Sequence, residues 1–276
     1  MGILSTAGKP SQRSVLVTLL SEAGMGKTTL AATFPKPIFI RAEDGMQAIP
    51  EDIRPDAFPL IEKVEQLWEQ LTALMHEDHD YQTVVIDSVT ALERLFMASV
   101  LASDPKAKSI NQAMGGYGAG TSAIAAMHGR VRKACGILNK RKGMHAVFIA
   151  HADVETMKLP DQDDYARYSL RLPNKSLPPY VDDVDVVGFL KQQMVVMGDE
   201  GERKMARGSG TRELVCHVTP SNVSKNRYHI TQALPVKIGT NPLAEYIPAL
   251  GGNMPKLDPT TAAPATTETK EEETTQ

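Results

Sequence analysis

Short uninterrupted apolar runs alternate along this chain with segments whose apolar residues recur every third or fourth position. Val15-Leu16-Val17 with Leu19-Leu20 carries the chain from Ser14 into a glycine-rich turn. Lys27 to Thr33 then predicts a helix, stopped by Pro35 and Pro37. Ile38-Phe39-Ile40 is a short buried strand. Val64, Leu67, Trp68, Leu71, Leu74 and Met75 lie at helical spacing, Thr83 to Ile86 is a strand, and Val89 to Val100 is a helix. Ile124, Met127, Val131, Cys135 and Leu138 mark one face of a further helix, and Ala146 to Ala150 the next strand. Strands without polar alternation bury both faces, so four strand–helix repeats predict a parallel sheet with helices on each side. After residue 180 two longer apolar stretches, Val184 to Leu190 and Leu214 to Val218, flank the polar segment Gly198 to Gly210. They predict antiparallel strands added C-terminally.

The 276 residues suit one large domain, and 42% apolar with 23% charged content supplies an ordinary core and excludes wholesale disorder. The sequence divides into a flexible segment 1–13, a domain over 14–252 and a tail over 253–276. That tail holds Lys256 and Lys270 against Asp258, Glu268, Glu271, Glu272 and Glu273, which accounts for the whole net charge of −3 and leaves the body neutral. Rich in Thr, Ala and Pro, it is expected to be disordered, serving either solubility or competition with nucleic acid for a basic groove. No apolar run approaches the ~20 residues of a membrane span. Two isolated cysteines, Cys135 and Cys216, form no metal or disulfide pattern, so a reducing cytoplasm is the expected compartment. Between Asp104 and Asp153 there is no acidic residue, while eight basic ones occur: Lys106, Lys108, Arg130, Arg132, Lys133, Lys140, Arg141 and Lys142. Such a stretch either projects a field suited to polyphosphate or forms a solvated helix face balanced by acids elsewhere.

The turn after the first strand reads Ser21-Glu22-Ala23-Gly24-Met25-Gly26-Lys27-Thr28-Thr29. Lying between a strand and a helix, it has the composition and setting of a phosphate-binding loop. Backbone N–H groups around Gly24 and Gly26 would wrap phosphates, Lys27 would reach the β and γ phosphates, and the Thr28 hydroxyl would ligate Mg²⁺. The pattern normally opens on glycine, and Ser21 stands there instead; serine is tolerated where the backbone stays in the β region. Thr83 to Ile86 delivers Asp87 at its carboxyl end, on the side where the phosphate loop opens, so Asp87 is the candidate for holding Mg²⁺, or else a structural cap. Hydrolysis also needs a group that orients water. Ser88 occupies the place where many P-loop motors carry a glutamate, so Glu43, just past the neighbouring strand, is the candidate base; the alternative is an exposed turn acid.

The phosphate loop, the Phe-Ile-x-x-Glu element ending at Glu43, and Val-Ile-Asp-Ser before an apolar helix resemble the ATPase core of RecA-type recombinases. More closely, the chain is similar to phage RecA-like nucleotide-binding proteins, the Sak-type single-strand annealing ATPases. The resemblance covers roughly residues 14–235, and includes Gly115-Gly116-Tyr117-Gly118, Phe148-Ile149-Ala150-His151, Asp164 to Tyr168 and Val181 to Asp185. It implies an α/β, RecA-like P-loop fold that binds ATP and Mg²⁺, acts on single-stranded DNA, and assembles into a ring or filament. His151 stands at the γ-phosphate sensor position, where glutamine is better known; as a lone histidine it is equally a structural residue. Two loops would face DNA, Pro105 to Gly120 with Tyr117, and the stretch from about Asp153 to Pro179. Lys225 and Arg227 resemble the cation pair that RecA-like subunits insert into a neighbour's ATP site, and otherwise form a short exposed basic strand. The resemblance leaves room for a single-strand-binding protein as partner. Alternatives are a replication motor, helicase or helicase loader, and a nucleotide-dependent regulatory module.

Overall fold

The computed structural model describes residues 3–8, 13–160, 162–197 and 205–255. In chain order the elements are β1 (Leu16–Ser21), α1 (Lys27–Ala31), β2 (Pro37–Arg41), β3 (Asp56–Ala57), α2 (Val64–His76), β4 (Thr83–Asp87), α3 (Val89–Ser103), α4 (Ala119–Lys142), β5 (His145–Met157), β6 (Tyr165–Leu170), α5 (Pro178–Val181), β7 (Val186–Met197), β8 (Met205–Val215), β9 (Lys225–Asn226) and β10 (Leu234–Val236). Among the described residues one sheet runs in the order β10-β8-β7-β1-β5-β4-β2-β3, with β6 added on β5 and β9 on β7. Neighbours from β7 to β3 are all parallel, whereas β6, β8, β9 and β10 pair antiparallel.

Unbroken apolar runs make these strands because both faces of the sheet are covered. Successive side chains go to opposite faces. Leu16, Leu20, Ile38, Ile40, Val84, Ile86, Ala146 and Phe148 join the core under α2, α3 and α4. Val17, Leu19, Phe39, Val85, Val147 and Ile149 join a second core beneath α1 and the C-terminal segment, with Ile230, Leu234, Leu243 and Ile247. Cys135 and Cys216 are buried in opposite cores, and burial pushes both thiols up to about 12, so neither is poised to react. The helices start and stop where the chain supplies caps. Ser88 Oγ accepts the Ala91 N–H of α3 at 3.1 Å, Gln66 Oε1 accepts the Lys63 N–H at the start of α2 at 3.0 Å, and α4 is flanked by Gly118 and Gly143, both left-handed. No helix among the described residues is long and apolar enough to cross a membrane.

Three sequence expectations change. Val184 to Leu190 is not an antiparallel addition: it opens β7, which lies parallel beside β1. Asp185 sets that register, its N–H donating to the Leu16 carbonyl at 2.8 Å and its carboxylate accepting the Leu16 N–H at 3.0 Å. The polar segment to Gly210 is in part strand, since β8 begins at Met205. The stretch from Asp153 to Pro179 is not a loop either. β5 continues past the sheet to Met157 and folds back as β6, with Glu155 directly opposite Arg167 and ion-paired to it at 2.7 Å. Of segment 1–13, Ile3–Thr6 form a 3-10 turn and Arg13 pairs with Asp185 at 3.1 Å. From residue 256 on, the acidic tail lies outside the described residues.

A fully buried polar chain joins three helices beneath the sheet. His128 of α4 hydrogen bonds through Nε2 to Glu93 of α3 at 2.8 Å and through Nδ1 to the Tyr180 hydroxyl of α5 at 2.7 Å. Ser176 donates to the same Glu93 oxygen at 3.3 Å. Removing the central member takes the buried Tyr180 hydroxyl's partner away and leaves Glu93 with Ser176 alone. His128→Ala is therefore expected to lower stability by about 3–5 kcal/mol, read as a fall in the urea midpoint with unchanged slope.

Candidate nucleotide-binding site

The turn after β1 winds through two left-handed glycines, Gly24 at φ 76° and Gly26 at φ 95°. The positive φ strains any side chain at Gly26, and the space a Cβ would take there is filled by the end of the flexible Arg212 side chain. Ser21 remains in the strand and is buried, which its β-region backbone permits. Its hydroxyl adds an acceptor that glycine could not: the Lys27 ammonium donates to Ser21 Oγ at 3.1 Å, to the Ser21 carbonyl at 3.2 Å and to the Glu22 carbonyl at 2.9 Å. Burial lowers the Lys27 pKa, opposed by the nearby carboxylates of Asp87 and Glu43. Glu22, Ala23 and Gly24 form the exposed crest of the turn, and Met25 packs back on the core.

Parallel pairing aligns the strand ends on one rim. Ser21 lies opposite His151 of β5, and Asp87 of β4 opposite Arg41 of β2, two residues before Glu43. Thr28 Oγ1 donates to Asp87 Oδ2 at 3.0 Å, joining residues 59 positions apart in the chain. His151 Nε2 meets Glu43 Oε1 at 3.0 Å. This hydrogen bond is the main reason the Glu43 carboxyl sits below the usual glutamate range, with Ser88 assisting against burial. Asp87 goes the other way: burial pushes it up to about 6, Glu43 adds to the rise, and the Thr28 hydrogen bond opposes it. Between these groups lies a cavity of about 400 Å³, lined by Gly24, Gly26, Lys27, Thr28, Thr29, Glu43, Asp87, His151 and Arg212 with their neighbours.

The donor set fits magnesium. Thr28 and Asp87 offer a hydroxyl and a carboxylate, hard oxygens facing a cavity large enough for phosphate, and Mg²⁺ characteristically takes one or two protein oxygens with substrate phosphates and water. Among the described residues no group of three or more His, Cys, Asp or Glu could hold a metal without such outside ligands.

The model of the AAA domain matches residues 13–228, from just before β1 to just after β9. The chain belongs to the AAA domain family. Every residue of the cavity lies inside the matched span of this AAA domain, which sets its phosphate loop at the rim of a mostly parallel sheet, a P-loop nucleotide-binding fold. No curated protein matches the chain. Among solved structures it is similar to the crystal structure of the RadB recombinase, at a TM-score of 0.47 and 12% identity, over 83% of this chain and 90% of that one.

Other sequence-predicted residues of the AAA domain lie elsewhere. Asn226 pairs with Val186, itself opposite Val17, so β9 lies level with the first half of β1. Arg227 reaches Asp185 at 3.0 Å, next to Leu16, five residues or roughly 16 Å along the strand from Ser21. Lys225 donates to the carbonyls of Val181 at 3.2 Å and Asp182 at 2.5 Å. Both cations are thus engaged with segment 181–185 of their own chain, away from the phosphate loop. The loop before α4 leaves Tyr117 fully exposed and Met114 half exposed, both at positive φ. Arg212 was not singled out in the sequence: it follows a polar stretch that gave no sign of facing the phosphate loop.

Proposed function

We propose that this AAA domain hydrolyses Mg²⁺-ATP and couples the cycle to single-stranded DNA, promoting annealing or strand pairing in phage recombination as a homo-oligomer. The observation that carries the ATPase half is the convergence of Lys27, Thr28, Glu43, Asp87 and His151 on one cavity at the carboxyl ends of β1, β2, β4 and β5. Lys27 and the loop N–H groups bind the triphosphate, and Thr28 and Asp87 hold the metal. When bound, Mg²⁺ neutralises charge on the phosphate oxygens. Glu43 orients the attacking water and accepts its proton, while His151 keeps that carboxylate ionised and aimed.

The DNA half is supported by the exposed Tyr117 on a glycine-rich loop at the head of the acid-free α4, an aromatic surface on which a base can stack. His151 opens the part of β5 that leaves the sheet as the hairpin with β6, so the residue touching Glu43 also roots that arm. ATPase rates measured with and without single-stranded DNA test the coupling. Stimulation of several-fold is expected, and Tyr117→Ala should weaken DNA binding roughly 5- to 150-fold, the loss of one stacked base. A rate indifferent to DNA, with no binding by wild type, sinks the DNA half and leaves a nucleotide-driven regulator. Opening of a forked duplex would point instead to a replication motor.

A further inference from the structure

The cavity holds a cation that neither the phosphate-loop pattern nor the RecA resemblance assigns. Arg212 lies on β8 opposite Gln192 of β7, three residues beyond Phe189, and Phe189 is level with Leu20 of β1. Because β8 runs antiparallel to β7, this register carries Arg212 just past the end of β1, level with the phosphate loop. Its guanidinium lies against Gly26, in the space that a Cβ there would take. It lines the 400 Å³ cavity with Lys27 and Asp87, and also a smaller one of about 160 Å³ bounded by Leu30, Thr33, Val236 and Thr240.

Among the described residues Arg212 has no hydrogen-bonding or ionic partner, and its neighbour Glu213 is paired with Lys191 at 3.2 Å. A part-buried arginine held against a phosphate loop without a carboxylate is an incomplete ion pair, and a phosphate matches the guanidinium fork in shape and charge. The need for it is electrostatic. Glu43, Asp44 and Asp87 line the same cavity, so without Arg212 a polyphosphate there would meet three carboxylates and Lys27 as the one lysine or arginine of the lining.

We propose that Arg212 is an intrachain phosphate-binding arginine, closing over the polyphosphate from the β8 side so that each protomer completes its own site. The proposal rests on the nucleotide reading above and specifies which cation supplements Lys27. It differs in kind from the neighbour-supplied pair expected at Lys225 and Arg227, since β8 belongs to the same sheet as β1, the strand that leads into the phosphate loop.

Calorimetric titration of wild type, Arg212→Gln and Arg212→Lys with Mg²⁺-ATP and with adenosine tests it, with thermal melts confirming that each variant is folded. The expected result is a loss of ATP affinity of roughly 10- to 100-fold in Arg212→Gln, partial recovery in Arg212→Lys, and no change for adenosine. Unchanged ATP affinity in Arg212→Gln, or equal losses for ATP and adenosine, would overturn it. A mixing experiment then separates intrachain from neighbour action. Arg212→Gln combined with Lys27→Ala should recover no turnover, because each protomer carries its own defect; recovery would show that Arg212 serves the adjacent subunit and refute the proposal. Absence of ATP binding by the wild type instead sinks the nucleotide reading itself, an outcome distinct from failure of Arg212.

Discussion

Glu43→Gln is expected to lower ATP turnover by about a hundredfold or more while leaving Mg²⁺-ATP affinity within a few-fold of wild type. The substitution keeps the shape of the side chain and an oxygen for His151, which lies 3.0 Å away, but removes the proton acceptor. A positioned general base contributes roughly 10²- to 10⁴-fold, and it does so in the transition state, so the loss belongs in kcat and not in binding. The surroundings also predict a pH signature. Because the His151 hydrogen bond holds the Glu43 carboxyl below its ordinary value, the base is ionised throughout the neutral range. In His151→Ala that support is gone, Glu43 protonates more readily, and the acid limb of the rate profile moves up toward neutrality. Equal turnover in Glu43→Gln and wild type would remove Glu43 from the chemistry; a parallel loss of affinity would make it a binding residue.

Asp87→Asn should separate function from stability in opposite directions. Asparagine cannot supply the carboxylate for Mg²⁺, so metal-dependent ATP binding is lost. Without added metal, however, the variant is expected to be the more stable protein at pH 8. Burial raises the folded-state pKa of Asp87 from 3.8 to about 6, so the folded chain binds this proton more tightly than the unfolded chain does. Wild-type stability therefore declines as pH rises through the window from about 4 to about 6 and stays reduced above it. Asparagine escapes that decline and can still accept the Thr28 hydrogen bond. The gain is at most about 3 kcal/mol at pH 8 and vanishes below about pH 4. Urea midpoints of both proteins at pH 4 and pH 8 with a chelator present check it, and a less stable Asp87→Asn at pH 8 would mean the carboxylate is better satisfied than its burial implies. The trade is typical of a site that holds charge in readiness for a ligand.

The parallel half of the sheet could be read from local pattern, because a strand covered on both faces has to be apolar at every position. Val84-Val85-Ile86 and Leu16 to Leu20 have that property, and their alternate residues divide between the two cores. The phosphate loop was legible for a similar reason: left-handed turns need Gly24 and Gly26 whatever surrounds them, and a strand ending in Asp87 states its own direction. Beyond His151 local pattern was weaker. The hairpin of β5 and β6 mixes polar and apolar side chains on its exposed positions, Val154 among them, and its pairing depends on cross-strand partners such as Glu155 and Arg167, twelve residues apart.

Amino-acid order alone settled that this chain forms strand–helix repeats around a phosphate loop, with Lys27, Thr28 and Asp87 at strand or helix ends. These features follow from backbone conformation and from burial period, which act over a few neighbouring residues. Tertiary structure alone decided that β7 lies parallel to β1, that Arg212 stands level with Gly26, and that Lys225 and Arg227 fall toward the other end of the strands. Each of those depends on the register between segments far apart in the chain, and a register is chosen by the packing of whole faces and by single anchors such as the Asp185–Leu16 hydrogen bonds, which no local window contains.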